Sequence, residues 1–166
     1  MAIIHVVWEG FPYEKALELN DSNDYGVYQI YGAHPVYGSN VLLYIGKAGE
    51  QTFGKRLGQH EWTVYNADAG NVTVYVGRLG GYDGTPQNEE WSRQIALVER
   101  LLIYAHQPAC NASGLNVLKP KQEDDDAVND AHILNWGQRR DLLPEVSGAR
   151  WHNRFDSDEG YEDFSA

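Results

Sequence analysis

The pattern of hydrophobic and polar positions predicts four β-strands in the first half of the chain. Residues 3–8 are apolar and rich in β-branched side chains, and residues 25–31 alternate aromatic and smaller side chains. Residues 41–45 form an apolar run, and valines at positions 72, 74 and 76 alternate with polar or small residues. The second and third strands are expected to form a hairpin across a long connection, residues 32–40.

The segments between and after these strands predict short helices. A turn at residues 10–12 is followed by a possible helix at 13–19, and the spacing from 53 to about 65 is helical. Beyond an acidic run, residues 127–136 could form another short helix, and residues 160–166 are expected to be a frayed, flexible tail.

A long helix is predicted to end at about residue 106. Thr85 is a favourable N-cap with Pro86 at the first helical position, and Pro108 lies just beyond the predicted end. Apolar residues recur in it at three- and four-residue spacing, which predicts a buried face: Trp91, Ile95, Val98 and Leu102.

Composition limits the class of protein. A chain of 166 residues with 42% hydrophobic content can bury the core of one ordinary domain, residues 1–166. The single cysteine, Cys110, excludes an internal disulfide, and no apolar run approaches the ~20 residues of a membrane span. The amino terminus does not have the pattern of a signal peptide. We therefore expect a cytoplasmic protein that does not bind membranes.

The charge balance argues against extensive contact with nucleic acid. The net charge is −11, whereas nucleic-acid binders usually carry a basic surface that neutralises phosphates. Much of the acidity lies beyond residue 120, and six cations before it could form a local positive face: Lys47, Lys55, Arg56, Arg78, Arg93 and Arg100. Any binding to DNA is expected to be weak and salt-sensitive unless a protein partner adds affinity.

Two short strings in the predicted hairpin carry the strongest chemical signal. Gly26-Val27-Tyr28 and Tyr44-Ile45-Gly46-Lys47 are followed in order by Arg56, His60, Glu99 and Asn111. This ordered series resembles the GIY-YIG nuclease family over residues 25–111, and residues 112–166 would be an acidic carboxy-terminal extension. The resemblance implies an α+β fold with a small central three-stranded antiparallel sheet flanked by helices. It agrees with the order of the predicted elements, and both termini would be additions to it.

The resemblance also implies roles for the charged residues of the series. Glu99 would be the single ligand of a Mg²⁺ or Mn²⁺ ion, with water and phosphate supplying the other oxygens. Arg56 would contact the scissile phosphate, and His60, one helical turn later, could accept a proton. Without the rest of the series, Glu99 would be read as a surface ion-pair residue and His60 as a surface histidine.

The tyrosines, the lysine, the glycine and the asparagine complete the implied site. Tyr28 and Tyr44 would activate water and contact phosphate, with Tyr28 the preferred general base. A phenol with an ordinary pKa of ~10 needs nearby positive charge for that role. Gly46 would let the backbone approach the phosphate, which Lys47 would bind, and Asn111 would support the site by hydrogen bonding. The connection between the two tyrosines is longer than in many members of the family.

These observations predict a metal-dependent endonuclease that uses one cation, with DNA rather than RNA as the expected substrate. Zinc is not expected, because the histidines lack paired spacing and one cysteine excludes the cysteine-rich sites. The alternatives are a non-catalytic module of the same fold that binds nucleic acid or a protein, and an acidic protein that mimics DNA. The sequence leaves open the shape of the DNA substrate, the biological pathway and the oligomeric state.

Overall fold

The computed structural model describes residues 2–59, 72–80, 88–112 and 125–149. Within these ranges the fold is α+β, with six strands and four helices. The strands are β1 (Ala2–Pro12), β2 (Gly26–His34), β3 (Gly38–Ala48), β4 (Thr73–Leu79), β5 (Ala131–Gly137) and β6 (Glu145–Ser147). The helices are α1 (Tyr13–Ala16), α2 (Phe53–Gly58), α3 (Glu89–His106) and α4 (Asp125–Asp130).

The strands form one mixed sheet in the order β3-β2-β4-β1-β5-β6. All neighbouring pairs are antiparallel except β1 and β5, which are parallel. The predicted α+β class and the β2–β3 hairpin are confirmed. The described sheet has six strands. Antiparallel β3, β2 and β4 lie within residues 25–111, and β1, β5 and β6, from outside that range, extend the sheet beyond β4.

Side chains that alternate along the strands build a core on each face of the sheet. On one face, Ile4, Val6 and Trp8 of β1 belong to a buried cluster with α3, whose predicted face is buried as expected. On the other face, residues of β2 and β4 pack with Phe53 and Leu57 of α2. Helices α2 and α3 therefore lie on opposite faces of the sheet.

Three local predictions are wrong. The predicted turn at residues 10–12 belongs to β1, which continues to Pro12 along β4. The predicted long connection at 32–40 is mostly strand, so that the hairpin loop consists of residues 35–37 alone. Residues 131–136 form β5 rather than helix, because they pair in register with β1. In the first and third cases, pairing with a strand distant in the chain overrides the local pattern. In the second case, the pairing of β2 with β3 continues further toward the hairpin loop than predicted.

The long helix α3 ends where the sequence predicted. Helix α3 ends at His106, and Gln107 follows in a left-handed conformation, with φ of 50°. Its N-cap is Asn88, whose side chain accepts hydrogen bonds from the amides of Glu90 and Trp91. The predicted N-cap, Thr85, lies outside the described residues.

Helix α2 covers the first part of the predicted helix at 53–65, and residues from 60 to 71 lie outside the described ranges, as does the expected tail at 160–166. Within the described parts of the chain, no helix has the length and apolar character needed to cross a membrane.

Candidate active site

A cleft of about 310 Å³ opens where the edge strand β3 ends. The cleft is lined by residues from the end of β3, from the loop that follows β3, from α2 and from α3. These residues are Lys47, Ala48, Gly49, Glu50, Gln51, Arg56, Ser92 and Glu99. Because no strand among the described residues lies beyond β3, elements from both faces of the sheet can meet at this edge. The cleft thus brings together three residues of the predicted series: Lys47, Arg56 and Glu99.

The hairpin places the two predicted tyrosines beside each other. Tyr28 pairs directly opposite Gly46, and Tyr44 lies two residues away on the same face of β3. The two rings have centroids 6.1 Å apart and planes tilted by 30°. Tyr28 is fully buried, whereas Tyr44 is partly exposed.

Both glycines of the hairpin motifs are explained by close packing. A Cβ atom on Gly46 would lie 2.5 Å from the ring carbon Cζ and the hydroxyl of Tyr28, so any side chain there would displace the Tyr28 ring. Gly26 has a φ of 149°, and a Cβ atom there would overlap the carbonyl oxygen of Gly77 on β4. The glycine at position 46 therefore makes room for the tyrosine of the first motif.

Helix α2 carries Arg56 to the tyrosines. The helix is capped by Thr52, whose hydroxyl accepts a hydrogen bond from the amide of Lys55. One turn into the helix, the charged guanidinium of Arg56 lies beside Tyr28 and donates to Oε1 of Gln59 at 3.2 Å. Arg56 is thus oriented by Gln59 while it lines the cleft.

Helix α3 supplies the carboxylate of the cleft. The Glu99 side chain is only 20% exposed, and its Oε2 lies 3.5 Å from Nζ of Lys47, whose side chain is 48% exposed. Burial raises the pKa of Glu99, while the charges of Lys47, Arg56 and Arg100 lower it in part. Glu99 is therefore a partly dehydrated carboxylate with positive side chains around it.

Burial also raises the pKa of both tyrosines. For Tyr28 the burial effect comes first, the neighbouring Tyr44 adds to it, and the charge of Arg56 opposes it in part. For Tyr44, burial and the charge of Glu99 raise the pKa, and Arg56 lowers it. Both phenols are neutral in the protein alone, so deprotonation at neutral pH requires additional positive charge in the cleft.

Asn111 fixes the edge strand from outside the sheet. Its Oδ1 accepts a hydrogen bond from the amide of Ile45 at 3.0 Å, and its Nδ2 donates to the Ile45 carbonyl at 2.9 Å. The amides of Ala109 and Cys110 donate to the carbonyls of Leu42 and Leu43. The asparagine side chain continues this ladder and holds the backbone between Tyr44 and Gly46, a supporting position like the one the sequence suggested.

The other predicted cations do not gather at the cleft. Arg78 is held by Asp24 and Glu9, at 2.8 and 3.2 Å. Arg93 and Arg100 line a separate cleft against β1 and α4. The predicted positive face is therefore reduced to Lys47 and Arg56 at the cleft itself. His60 lies outside the described residues.

The sequence did not indicate three polar residues of the cleft: Glu50, Gln51 and Ser92. Ser92 lies two helical turns before Glu99, a spacing that places both on one face of α3. Glu50 and Gln51 directly follow the second motif, and only the turn after β3 brings them back over the cleft. Among the described residues, no three histidine, cysteine or acidic side chains cluster as a multidentate metal site would.

Comparison of the chain with protein-family models, with curated proteins and with solved structures finds no match.

Proposed function

We propose that the protein is a metal-dependent endonuclease that hydrolyses phosphodiester bonds in DNA at the cleft beside β3. The observation that carries this proposal is the convergence of Glu99, Lys47 and Arg56, from three separate elements, next to the paired tyrosines. Residues so far apart in the chain have no packing reason to share a hydrophilic cleft. The resemblance to the GIY-YIG nucleases and the geometry support the same reaction class.

The residues of the cleft suit a single hard cation. Mg²⁺ and Mn²⁺ prefer oxygen ligands and often bind through one carboxylate together with substrate phosphate and water. Glu99 provides such a carboxylate. Because it is partly buried, it favours a neighbouring positive charge, and a bound ion would supply that charge in place of the positive side chains. A bound cation would neutralise charge on the phosphate and on the leaving oxygen.

The other side chains of the cleft bind the phosphate, accept the proton of water or support the strand. Arg56 and Lys47 hold non-bridging oxygens of the phosphate, and Tyr44 adds a hydroxyl contact. A water molecule attacks phosphorus, and its proton passes to His60 or to Tyr28 in its phenolate form. The bond to the leaving oxygen breaks, and that oxygen takes a proton from solvent. Burial raises the pKa of Tyr28 and Arg56 offsets this only in part, so the proposed base requires the positive charge that a bound cation would add. Asn111 and Gly46 position the strand that carries Tyr44.

The test of this proposal is a plasmid-nicking assay with Mg²⁺, with Mn²⁺ and with chelator. We expect nicking with either cation and none with chelator. A second panel of duplex, branched and single-stranded DNA and RNA substrates, with mapped product ends, would define the substrate. Cleavage that is unaffected by chelator would contradict the proposed mechanism.

One observation favours a second candidate, a non-catalytic module of the same fold. The net charge is −11, and only Lys47 and Arg56 of the six candidate cations line the cleft. Such a module would bind nucleic acid or a protein partner without cutting. Binding of DNA in a low-salt gel shift without nicking under any cation would select this candidate.

We also propose that the protein acts in the cytoplasm. Cys110 is free and exposed, and an exposed free thiol persists best in a reducing compartment. A protein partner that supplies DNA affinity would offset the acidic surface. Fractionation of cells that produce the tagged protein tests the location.

A further inference from the structure

The ion pair between Lys47 and Glu99 occupies the two groups that the proposed reaction needs for different purposes. Glu99 would hold the cation and Lys47 would hold the phosphate, yet Nζ and Oε2 lie 3.5 Å apart. In this arrangement the lysine neutralises a partly buried carboxylate, and the carboxylate engages a positive charge that could otherwise face the substrate.

We propose that Lys47 is a counter-ion that a divalent cation displaces from Glu99, so that binding of the cation releases Lys47 to bind the phosphate of the substrate. This inference rests on the proposed function. It adds a form of regulation that the function does not require: affinity for the cation and affinity for the nucleic acid are coupled through one lysine.

Electrostatics supports the exchange. A carboxylate that is 20% exposed favours a nearby positive charge more strongly than a solvated one. A divalent cation supplies that charge twice over and repels the ammonium group at the same position. The two positive groups therefore compete for Glu99.

The position of Lys47 allows the displaced side chain to reach solvent and a bound phosphate. Its side chain is 48% exposed and lines the same cleft as Arg56. A lysine has a flexible stem with a point charge at its end, so rotation about side-chain bonds is enough to move the ammonium group toward solvent and phosphate. Arg56 is held by Gln59 and remains in place.

The coupling also bears on the acidic character of the chain. With Lys47 engaged by Glu99, the cleft of the cation-free protein offers one arginine to a phosphate, and the rest of the acidic surface repels DNA. When a cation occupies Glu99, the cleft gains both the cation and the lysine. Linkage then requires that nucleic acid tighten cation binding by the same factor.

The test is a double-mutant cycle on DNA binding without any cation. Fluorescence anisotropy of a labelled duplex in EDTA, at fixed low salt, is measured for wild type, Glu99→Gln, Lys47→Met and the double variant. Because Glu99→Gln releases Lys47, we expect this variant to bind DNA at least about fivefold more tightly than wild type. Lys47→Met should have little effect alone and should abolish the gain in the Glu99→Gln background.

Matched controls separate release of the lysine from a general change of charge. Glu50→Gln removes a carboxylate from the same cleft, and Lys55→Met removes an exposed lysine from α2 outside it. We expect Glu50→Gln to tighten binding less than about twofold, and Lys55→Met to act equally in both Glu99 backgrounds. Thermal melts establish that each variant is folded.

Binding of Mn²⁺ to the DNA-free protein, followed by electron paramagnetic resonance, provides the second readout. Lys47→Met should bind Mn²⁺ at least about fivefold more tightly than wild type, and Glu99→Gln should remove this binding. Additive effects in the cycle, with equal Mn²⁺ affinity in wild type and Lys47→Met, overturn the exchange while Glu99 remains the proposed ligand. Mn²⁺ binding that does not depend on Glu99 overturns both the exchange and the proposed metal site.

Discussion

Two clusters on strand β2 combine a buried tyrosine, a second tyrosine and an arginine, yet only one of them resembles a reaction site. Tyr28 packs beside Tyr44 with Arg56, and Tyr31 packs beside Tyr75 with Arg140. The two β2 tyrosines are an odd number of residues apart and so face opposite sides of the sheet. Both are fully buried, and burial raises the pKa of Tyr31 to about 12 and that of Tyr28 further.

The Tyr31 cluster satisfies its own polar groups. The Tyr31 hydroxyl donates to Oε1 of Gln29 at 2.6 Å and accepts a hydrogen bond from the amide of Asp141 at 3.2 Å. Arg140 lies 4.7 Å above the Tyr31 ring and donates to Oδ1 of Asn40 at 2.9 Å. This network joins β2 to the loop before β6, and its role is structural.

The Tyr28 cluster differs in the burial of its carboxylate. A cleft and a carboxylate also adjoin the Tyr31 cluster, but that carboxylate, Asp141, is exposed, whereas the Glu99 side chain is only 20% exposed. Arg56 contacts Tyr28 and also lines the cleft with Glu99. The comparison shows that a buried tyrosine with an arginine does not define a site by itself. The partly dehydrated carboxylate at the edge of the sheet distinguishes the two clusters.

The largest expected effect comes from removing that carboxylate. Glu99→Gln keeps the shape of the side chain but cannot hold a cation, so we expect loss of nicking by at least about a thousandfold. Plasmid nicking under Mg²⁺ and Mn²⁺ measures the rate, and circular dichroism establishes the fold. Full activity of this variant with both cations would remove the distinction between the two clusters.

The second test exchanges each β2 tyrosine for phenylalanine. Tyr28→Phe should slow cleavage by about a hundredfold with the fold retained, because a proton acceptor and a partner of Arg56 are lost. Tyr31→Phe should leave the cleavage rate nearly unchanged. It should destabilise the protein by about 1–2 kcal/mol, because the amide of Asp141 and the side chain of Gln29 lose a buried partner.

Single-turnover cleavage rates and denaturant unfolding of both variants separate the two outcomes. If Tyr31→Phe slows cleavage as much as Tyr28→Phe does, the division into a reactive and a structural cluster is wrong.

The third test addresses the packing of the Tyr28 ring. A methyl group at Gly46 would lie 2.5 Å from Tyr28, so Gly46→Ala should destabilise the protein by about 1–3 kcal/mol and lower cleavage by displacing the phenol. Gly58→Ala in α2 is the matched control, since its nearest neighbour, Leu17 Cδ2, is 4.0 Å away. Thermal melts and nicking rates that are the same for the two variants would contradict the role given to Gly46.

The smallest effect is a pH dependence of stability. Burial raises the pKa of Glu99, so the folded protein binds this proton more tightly than the unfolded chain does. That contribution to stability is present in acid and is lost as the pH rises through the folded-state pKa. Glu99→Gln stays neutral throughout, so its stability relative to wild type should increase from mildly acidic to neutral pH. Urea titrations across this range measure the difference, and a difference that falls with pH would contradict the assigned direction.

Local sequence patterns predicted the elements that depend mainly on interactions within a few residues of the chain. The apolar stripe of α3 and the helix stop near Pro108 follow from side-chain spacing and backbone chemistry, which act within a few residues. The hairpin of β2 and β3 was also predicted. The conversion of residues 131–136 from a predicted helix to β5 was not, because that strand exists through its parallel pairing with β1.

The candidate site was likewise predicted only in part from the sequence. The sequence named Tyr28, Tyr44, Lys47, Arg56 and Glu99 as an ordered series, with Gly46 and Asn111 in support. It could not show that Glu50, Gln51 and Ser92 share their cleft, or that Arg78, Arg93 and Arg100 lie elsewhere.

The sequence alone determined which chemical groups this protein possesses and the order of its central elements, because those follow from residue identity and short-range periodicity. Only the tertiary structure decided that the sheet has six strands, that β3 lies at its edge, and that Lys47 neutralises Glu99 there. Distances between residues remote in the chain are set by how strands pair and helices pack. No local pattern encodes that arrangement, and the balance of charge in the cleft depends on it.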